Sequence, residues 1–434
     1  MLRLAGRWFG PFLTDSPVLL WELSADSLST GPSGSMVRAV PEFLPPPPLD
    51  LDALRAGRLT RLQETMVECR LDVCVLTNPV SLRYAADYRG FPLFQSHIPS
   101  TYLIVPAAGP LVLYGGYSGP LDTIDDARPA HSVTAFDAGM DLSAVAAGFA
   151  GDVATYLSEV GLPPTATVGL ERTSPSGHAA LTDANLRVVD AETAVELARS
   201  RKSPLELDAL QYSIDVAEHG MAVMEDALVP GISENQLWSI LHQVNIAHDG
   251  DWIDGRMLCS GPRTNPWNQE ASDRAIEVGD LVSFDTDMIG PFGYCADISR
   301  TFLCGDVPPT AEQSDLYELA RAEIEHNTAL LHVGASFQEL SQAVLRQPAD
   351  VVAQRYVCAF HGVGMSDEYP RIPYPDDWVR CGYDGEIEDG IVLSVESYVG
   401  RLGGTQGVKL EQMVQVAAGG VKALSSYPLW TEGH

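Results

Sequence analysis

Acidic residues stand in the C-terminal half of the chain at places where strand sequences are usually apolar. Asp285 and Asp287 follow the apolar stretch LVSF, and Asp297 lies in the next strand-like stretch, YCADISRTF. Residues two apart in a strand point to the same face, so we expect the side chains of Asp285 and Asp287 to lie side by side. Two adjacent carboxylates on a half-buried strand repel each other unless a cation lies between them.

Two glutamates and a histidine extend this set. Glu396 lies inside the apolar run IVLSVESYV and Glu411 inside VKLEQMVQV, where an unpaired charge would be costly to bury. His361 begins the sequence HGVG, whose glycines let the backbone approach a site closely. Carboxylates with one imidazole suit a pair of metal ions such as iron, manganese, cobalt or zinc. The alternative is that each acid is a solvated residue on a half-exposed strand, and for so many acids in apolar sequence we favour a metal centre.

Hydrophobic periodicity predicts the strands and helices that would hold these residues. DLVSFDTDMIG and YCADISRTFLCG are predicted as paired strands around a glycine turn, and IVLSVESYVG and GVKLEQMVQV as the closing strands. Ser203 before Pro204 is a typical helix start, and Ser233 begins another helix. Further helices are predicted over about residues 311–331 and 337–347.

An α/β pattern precedes this region. LDALRAGRLTRLQETMVECR has apolar residues at helical spacing, and a second helix is predicted over about residues 142–160. The strands predicted there are DVCVLT, TYLIVP, PLVLYG, ATVGLE and LRVVDA. We therefore expect an irregular N-terminal extension over 1–49, a smaller α/β domain over 50–201 and a metal-binding domain over 202–434.

Composition excludes several classes of partner. The chain carries 27 Lys and Arg against 58 Asp and Glu, a net charge of −31, so we expect neither nucleic acid nor an anionic membrane surface as a partner. The longest uncharged run, residues 90–121, is interrupted by prolines and glycines, which argues against a transmembrane helix. Seven cysteines without a CxxC pair, and no signal peptide, fit a protein of the reducing cytoplasm.

The acidic motifs resemble those of the pita-bread superfamily, which includes methionine aminopeptidase, aminopeptidase P, prolidase and creatinase. Those proteins bind two metals through Asp, Asp, His, Glu and Glu, and GYCADISRT is similar to their motif GY-x-x-D-x-[TS]-R-T. The same order here is Asp285 (or Asp287), Asp297, His361, Glu396 and Glu411. The resemblance implies an α+β fold, with a pita-bread catalytic domain over 202–434 and a creatinase-like N-terminal domain over 50–201.

Departures from the peptidase pattern indicate a different reaction. The peptidases carry one histidine before the first metal-binding aspartate, where this chain has Trp267, and another in HGxGxxxHExP, where this chain has Asp367. The Asp-x-Asp pair, Asp285 and Asp287, also adds one carboxylate to the expected metal site. With these features the chain resembles the branch of the superfamily that cleaves dimethylsulfoniopropionate. The resemblance implies an iron-dependent enzyme that forms a homodimer.

This branch implies a role for each residue. Two metal ions, with iron expected and manganese, cobalt or zinc as alternatives, would be held by Asp285, Asp287, Asp297, His361, Glu396 and Glu411. Asp367 would be the general base of a β-elimination that yields dimethyl sulfide and acrylate, with Tyr356 near the substrate. The small zwitterionic substrate ends in a sulfonium, which aromatic faces can hold, and we expect Trp267 and Tyr294 to form such a wall.

Two other functions remain open at this stage. One is a dinuclear-metal hydrolase of the Xaa-Pro peptidase, prolidase or creatinase type, which would need another base in place of the missing histidines. The other is a binding protein without catalytic activity, although such relatives usually have lost metal ligands.

Overall fold

The computed structural model describes residues 42–116, 122–267 and 270–430. Most of the expected extension over 1–49 therefore lies outside the described residues, and residues 42–50 have no regular secondary structure. The boundary expected between residues 201 and 202 falls within one compact unit, Pro41–His434, and it stays a prediction.

The first part of the described chain builds a six-stranded mixed sheet. Its helices are α1 (Leu51–Glu68), α2 (Pro79–Ala86), α3 (Pro92–His97), α4 (Ala135–Ala138), α5 (Leu142–Glu159), α6 (Pro175–Asp183) and α7 (Glu192–Ser200). Its strands are β1 (Val73–Leu76), β2 (Tyr102–Pro106), β3 (Val112–Tyr114), β4 (Asp126–Arg128), β5 (Thr167–Leu170) and β6 (Arg187–Asp190). They lie in the order β4-β3-β2-β1-β5-β6. This agrees with the predicted α/β pattern.

Two long helices begin the second part, α8 (Pro204–Ala227) and α9 (Glu234–Ala247). Both start where the sequence predicts, because Ser203 and Ser233 each accept a hydrogen bond from the backbone of the first turn and complete a capping box. The later helices are α10 (Ala311–Leu330), α11 (Phe337–Ala343), α12 (Ala349–Val352) and α13 (Trp378–Cys381). The second of these is shorter than predicted, and beyond its end the backbone amide of Leu345 donates to Asn327 Oδ1 instead of continuing the helix.

Three sheets complete the second part. Their strands are β7 (Trp252–Ile253), β8 (Leu258–Ser260), β9 (Leu281–Asp285), β10 (Met288–Ile289), β11 (Cys295–Ala296), β12 (Ser299–Leu303), β13 (Phe360–Val363), β14 (Asp367–Ile372), β15 (Ile391–Gly400), β16 (Gly407–Ala417) and β17 (Gly420–Ala423). The sheets have the orders β11-β10-β7, β12-β9-β8 and β14-β13-β15-β16-β17. α10 packs on β15 and β16, and β9 and β12 also pack against β16. This packing brings the strands that carry the acids together.

One predicted strand was wrong. DLVSFDTDMIG is not a single strand, because β9 ends at Asp285 and β10 begins at Met288 in another sheet. Between them the backbone of Asp287 has a φ of 34°, a left-handed conformation that a strand does not contain. Asp285 and Asp287 therefore do not share a face of one strand.

None of the helices in the described part of the chain combines the length and the apolar character that crossing a bilayer requires.

Candidate metal centre

Five of the predicted metal ligands come from five different strands or their ends. Asp285 ends β9, Asp297 lies between β11 and β12, and His361 lies in β13. Glu396 of β15 stands directly opposite Glu411 of β16 in the antiparallel register. The four carboxylates are at most 1% exposed and His361 is 7% exposed. Their burial is what the apolar sequence around them predicts.

The histidine lies at the middle of the cluster. His361 Nε2 is 3.2 Å from Glu396 Oε1, 3.4 Å from Asp297 Oδ2 and 3.6 Å from Glu411 Oε1. In the part of the chain that the structure describes, three groups of possible ligand atoms each lie within 4.8 Å of one another: Asp297–His361–Asp367, His361–Glu396–Glu411 and Asp285–Asp297–Glu411. The arrangement has the donor set and the spacing of a site for metal ions.

Two buried oxygen atoms give a more direct test of this fit. Asp285 Oδ1 and Glu411 Oε1 are buried and have no hydrogen-bond partner among the described residues. A buried carboxylate oxygen left without a partner is costly, and metal coordination would satisfy both atoms. The residues present therefore fit a metal centre.

Asp287 is less closely associated with the groups of possible metal ligands. Its side chain is half-buried, and it belongs to none of the three close groups among the described residues. Burial and then the charges of Asp285 and Asp367 raise the pKa of Asp287 well above its usual value. The assignment of Asp287 as a metal ligand therefore stays a prediction.

Crowding of the carboxylates also changes their proton affinity. Burial and the neighbouring Glu411 raise the pKa of Asp285 to about 6 and that of Glu396 to about 8. Burial and Glu411 likewise raise the pKa of Asp297 well above its usual value. Burial would lower the pKa of His361, but the surrounding carboxylates, Asp367 first, raise it well above normal. A bound cation would favour the ionised carboxylates instead.

Sequence reasoning missed one member of the cluster, Lys409. Its side chain is fully buried, and Nζ lies 2.6 Å from Glu396 Oε2, 2.8 Å from Ser299 Oγ, 3.1 Å from Asp285 Oδ2 and 3.5 Å from Glu411 Oε2. Burial would raise the pKa of Glu411, but Lys409 and then His361 hold it well below its usual value. The sequence contains a signal for it, because Lys409 is two residues before Glu411 in KLE and so shares its strand face.

Asp367 and Tyr356 lie beside the cluster. The Asp367 side chain is 63% exposed, and its Oδ1 is 3.8 Å from His361 Nδ1. Tyr356 is half-buried, with its ring centroid 4.5 Å from Lys409 Nζ. Burial and then Glu396 raise the pKa of Tyr356 well above its usual value, so its phenol keeps its proton. One group is thus an accessible carboxylate and the other a protonated hydroxyl.

Trp267 is near the cluster, whereas Tyr294 is not. The Trp267 ring centroid is 6.0 Å from Lys409 Nζ, the residue is 7% exposed, and its indole N–H is buried without a hydrogen-bond partner among the described residues. The sequence predicts Tyr294 as part of a substrate wall, and this stays a prediction, although the structure places its side chain against another element. Tyr294 has no exposed surface, and its hydroxyl donates to Glu206 Oε1 of α8 over 3.2 Å. It is an odd number of residues from Asp297, and extended backbone turns such side chains to opposite faces.

The mixed α/β fold and the buried acidic cluster are those of the pita-bread class of metalloenzymes. The chain belongs to metallopeptidase family M24, whose family model matches residues 208–418. Enzymes of this family bind two divalent metal ions.

Two relatives match most of the chain. It is 35% identical over 389 residues to dimethylsulfoniopropionate lyase DddP of Roseovarius nubinhibens, covering 87% of each chain. It is 32% identical to the protein of that name from Roseobacter denitrificans, again over 87% of each chain.

Solved structures of the family share the fold. The Xaa-Pro dipeptidase from Bacillus anthracis superposes with a TM-score of 0.68 at 19% identity, covering 87% of this chain and 99% of that one. The prolidase from Pyrococcus horikoshii OT3 has a TM-score of 0.62 at 17% identity, covering 86% and 99%. At these identities the likeness concerns the fold alone.

Proposed function

We propose that this enzyme cleaves dimethylsulfoniopropionate to dimethyl sulfide and acrylate by β-elimination. The observation that carries the proposal is Asp367, an exposed carboxylate beside His361. The resemblance of HGVGMSDEYP to the peptidase motif implies that it stands where those enzymes carry a histidine. The two relatives with 35% and 32% identity, both named dimethylsulfoniopropionate lyase, support the same substrate.

The metal centre would consist of two ions, and we expect iron, with manganese, cobalt or zinc as alternatives. The proposed ligands are Asp285, Asp287, Asp297, His361, Glu396 and Glu411. When bound, the ions supply Lewis acidity that stabilises negative charge developing on the substrate carboxylate. The two unsatisfied oxygens, Asp285 Oδ1 and Glu411 Oε1, support this assignment.

Asp367 would act as the general base. Its carboxylate removes a proton from the carbon next to the substrate carboxylate, and the C–H electron pair becomes the carbon–carbon double bond. The bond from the β-carbon to sulfur breaks at the same time, so the sulfonium leaves as neutral dimethyl sulfide. The products are acrylate, dimethyl sulfide and a proton held by Asp367. Its high exposure then allows this proton to return to water.

Aromatic residues beside the cluster suit the two ends of the substrate. Tyr356 offers a ring face to the sulfonium, which needs no hydrogen bond and is attracted to aromatic faces as quaternary ammonium groups are. Its retained phenol proton can also assist proton movement. The indole N–H of Trp267, which no described residue accepts from, can donate to the substrate carboxylate, in addition to the ring face that the sequence suggests.

We also propose that the enzyme is a cytoplasmic homodimer, without nucleic acid or membrane as a partner. The support is the absence of any CxxC pair and the net charge of −31, together with the dimeric state implied by resemblance. The mass of the purified protein by light scattering tests the oligomeric state, and a monomer would contradict it.

A direct assay distinguishes the lyase from the hydrolase alternative. Purified protein of known metal content is given dimethylsulfoniopropionate, with dimethyl sulfide measured in the headspace and acrylate in solution. Equal amounts of both products are expected. Hydrolysis of Xaa-Pro dipeptides without release of dimethyl sulfide would instead favour the peptidase function of other family members.

A further inference from the structure

Lysine is rare in this chain, and one of the few lies within the acidic cluster. The chain has three lysines, Lys202, Lys409 and Lys422. Lys409 is fully buried, and its Nζ lies within 3.5 Å of one oxygen each of Asp285, Glu396 and Glu411. A buried cation in contact with three buried carboxylates must affect how the cluster holds any further positive charge.

In both Glu396 and Glu411, the two oxygen atoms of the carboxylate point to different partners. The Oε2 atoms of Glu396 and Glu411 face Lys409, at 2.6 and 3.5 Å. Their Oε1 atoms face His361 Nε2, at 3.2 and 3.6 Å. Each carboxylate therefore lies between a permanent cation on one side and the histidine side of the metal centre on the other. Lys409 Nζ also donates to Ser299 Oγ over 2.8 Å, which holds it in this position.

We infer that Lys409 is a resident counter-cation of the metal centre, which holds the carboxylates together before metal binds and weakens metal binding. Without it, the buried carboxylates of Asp285, Glu396 and Glu411 would lose the cation that contacts all three of them, which is strongly destabilising. Metal ions neutralise the same carboxylates, so Lys409 and the metal repel each other and compete for the same negative charge. Lys409 is a positioning residue, because it acts through the metal ligands.

This inference rests on the proposed metal centre and predicts a coupling between Lys409 and metal. Wild-type protein and Lys409→Met are prepared free of metal by chelation, and Mn²⁺ is titrated into each by calorimetry. We expect Lys409→Met to bind Mn²⁺ at least tenfold more tightly. In melting experiments the metal-free variant should have the lower Tm, and Mn²⁺ should raise its Tm by more than that of the wild type. Lys409→Arg, which keeps the charge, should behave like the wild type.

A buried lysine outside the cluster provides a matched control. Lys202 is 6% exposed and pairs with the buried Glu368. We expect Lys202→Met to lower the Tm of the metal-free and the Mn²⁺-loaded protein equally, with Mn²⁺ affinity changed by less than threefold. The same behaviour in Lys409→Met would show that Lys409 only fills space, and would overturn the inference.

Other outcomes are equally decisive. If metal-free Lys409→Met is unfolded and folds when Mn²⁺ is added, the coupling is supported. If it stays unfolded with Mn²⁺, the same measurements on Lys409→Gln decide, since the amide keeps a hydrogen-bond donor without the charge. A wild-type protein that binds no Mn²⁺, Fe²⁺ or Zn²⁺ would overturn the metal centre itself and this inference with it. Equal affinities in wild type and variant would overturn only the role of Lys409.

Discussion

Replacement of Asp367 by asparagine separates its proposed role as a base from a role in metal binding. Asn has nearly the same shape as Asp but cannot accept the substrate proton. A general base contributes about 100- to 10,000-fold in rate, which corresponds to about 3–5 kcal/mol of the activation barrier at 1.36 kcal/mol for each factor of ten. We therefore expect kcat for dimethyl sulfide release to fall by at least about 100-fold in Asp367→Asn.

The structure predicts that little else changes in this variant. The side chain is 63% exposed, and surface substitutions usually alter stability by less than about 0.5 kcal/mol. Its nearest oxygen is 3.8 Å from His361 Nδ1, too far for a hydrogen bond that would orient the ligand histidine. Metal content and Tm should therefore match those of the wild type.

The assay is headspace dimethyl sulfide over a range of substrate concentrations, with metal content measured on the same samples. Asp376→Asn is the matched control, because the Asp376 side chain is 62% exposed and pairs only loosely, at 3.8 and 4.0 Å, with Arg346 and Arg355. It should keep full activity. An Asp367→Asn enzyme with more than a tenth of wild-type kcat would remove Asp367 as the base. Loss of metal in that variant would make Asp367 a ligand instead, as its proximity to Asp297 and His361 permits.

Three further predictions concern the metal centre and the substrate. Glu396→Gln should lose at least half of the bound metal by elemental analysis. The control is Glu323→Gln, which should keep the metal, because Glu323 is a buried glutamate bonded instead to Ser397, Tyr374 and Gln347. Full metal content in Glu396→Gln would contradict the ligand assignment. The raised pKa values of Asp285 and Glu396, about 6 and about 8, mean that the folded metal-free protein holds more protons than the unfolded chain. The free energy of unfolding of the metal-free protein should therefore fall as the pH rises from 6 to 8, while the affinity for metal rises. A Tm of the metal-free protein that increases between pH 6 and 8 would contradict this prediction. The resemblance implies that Trp267 and Asp367 stand where the peptidases carry histidines, so hydrolysis of Xaa-Pro dipeptides should be less than about a hundredth of the lyase rate. Brisk hydrolysis would favour the peptidase alternative.

The strongest part of the sequence prediction was the convergence of acids in apolar strands. Asp285, Asp297, Glu396 and Glu411 could be singled out because each interrupts a stretch that is otherwise suited to burial. Helix starts such as Ser203 were also predictable, because a capping box is made by residues three apart in the chain. Both are local signals, so they need no knowledge of the partner strands.

Tertiary structure alone decided which side chains face one another. Periodicity predicts that Lys409 and Glu411 share a strand face, but the contact of Lys409 with Asp285 depends on the packing of β9 against β16. The same limit explains Tyr294, whose position close to Asp297 in the chain did not bring it to the site. A sequence shows which residues are costly to bury, whereas the pairing and packing of distant strands determine which neighbours offset that cost.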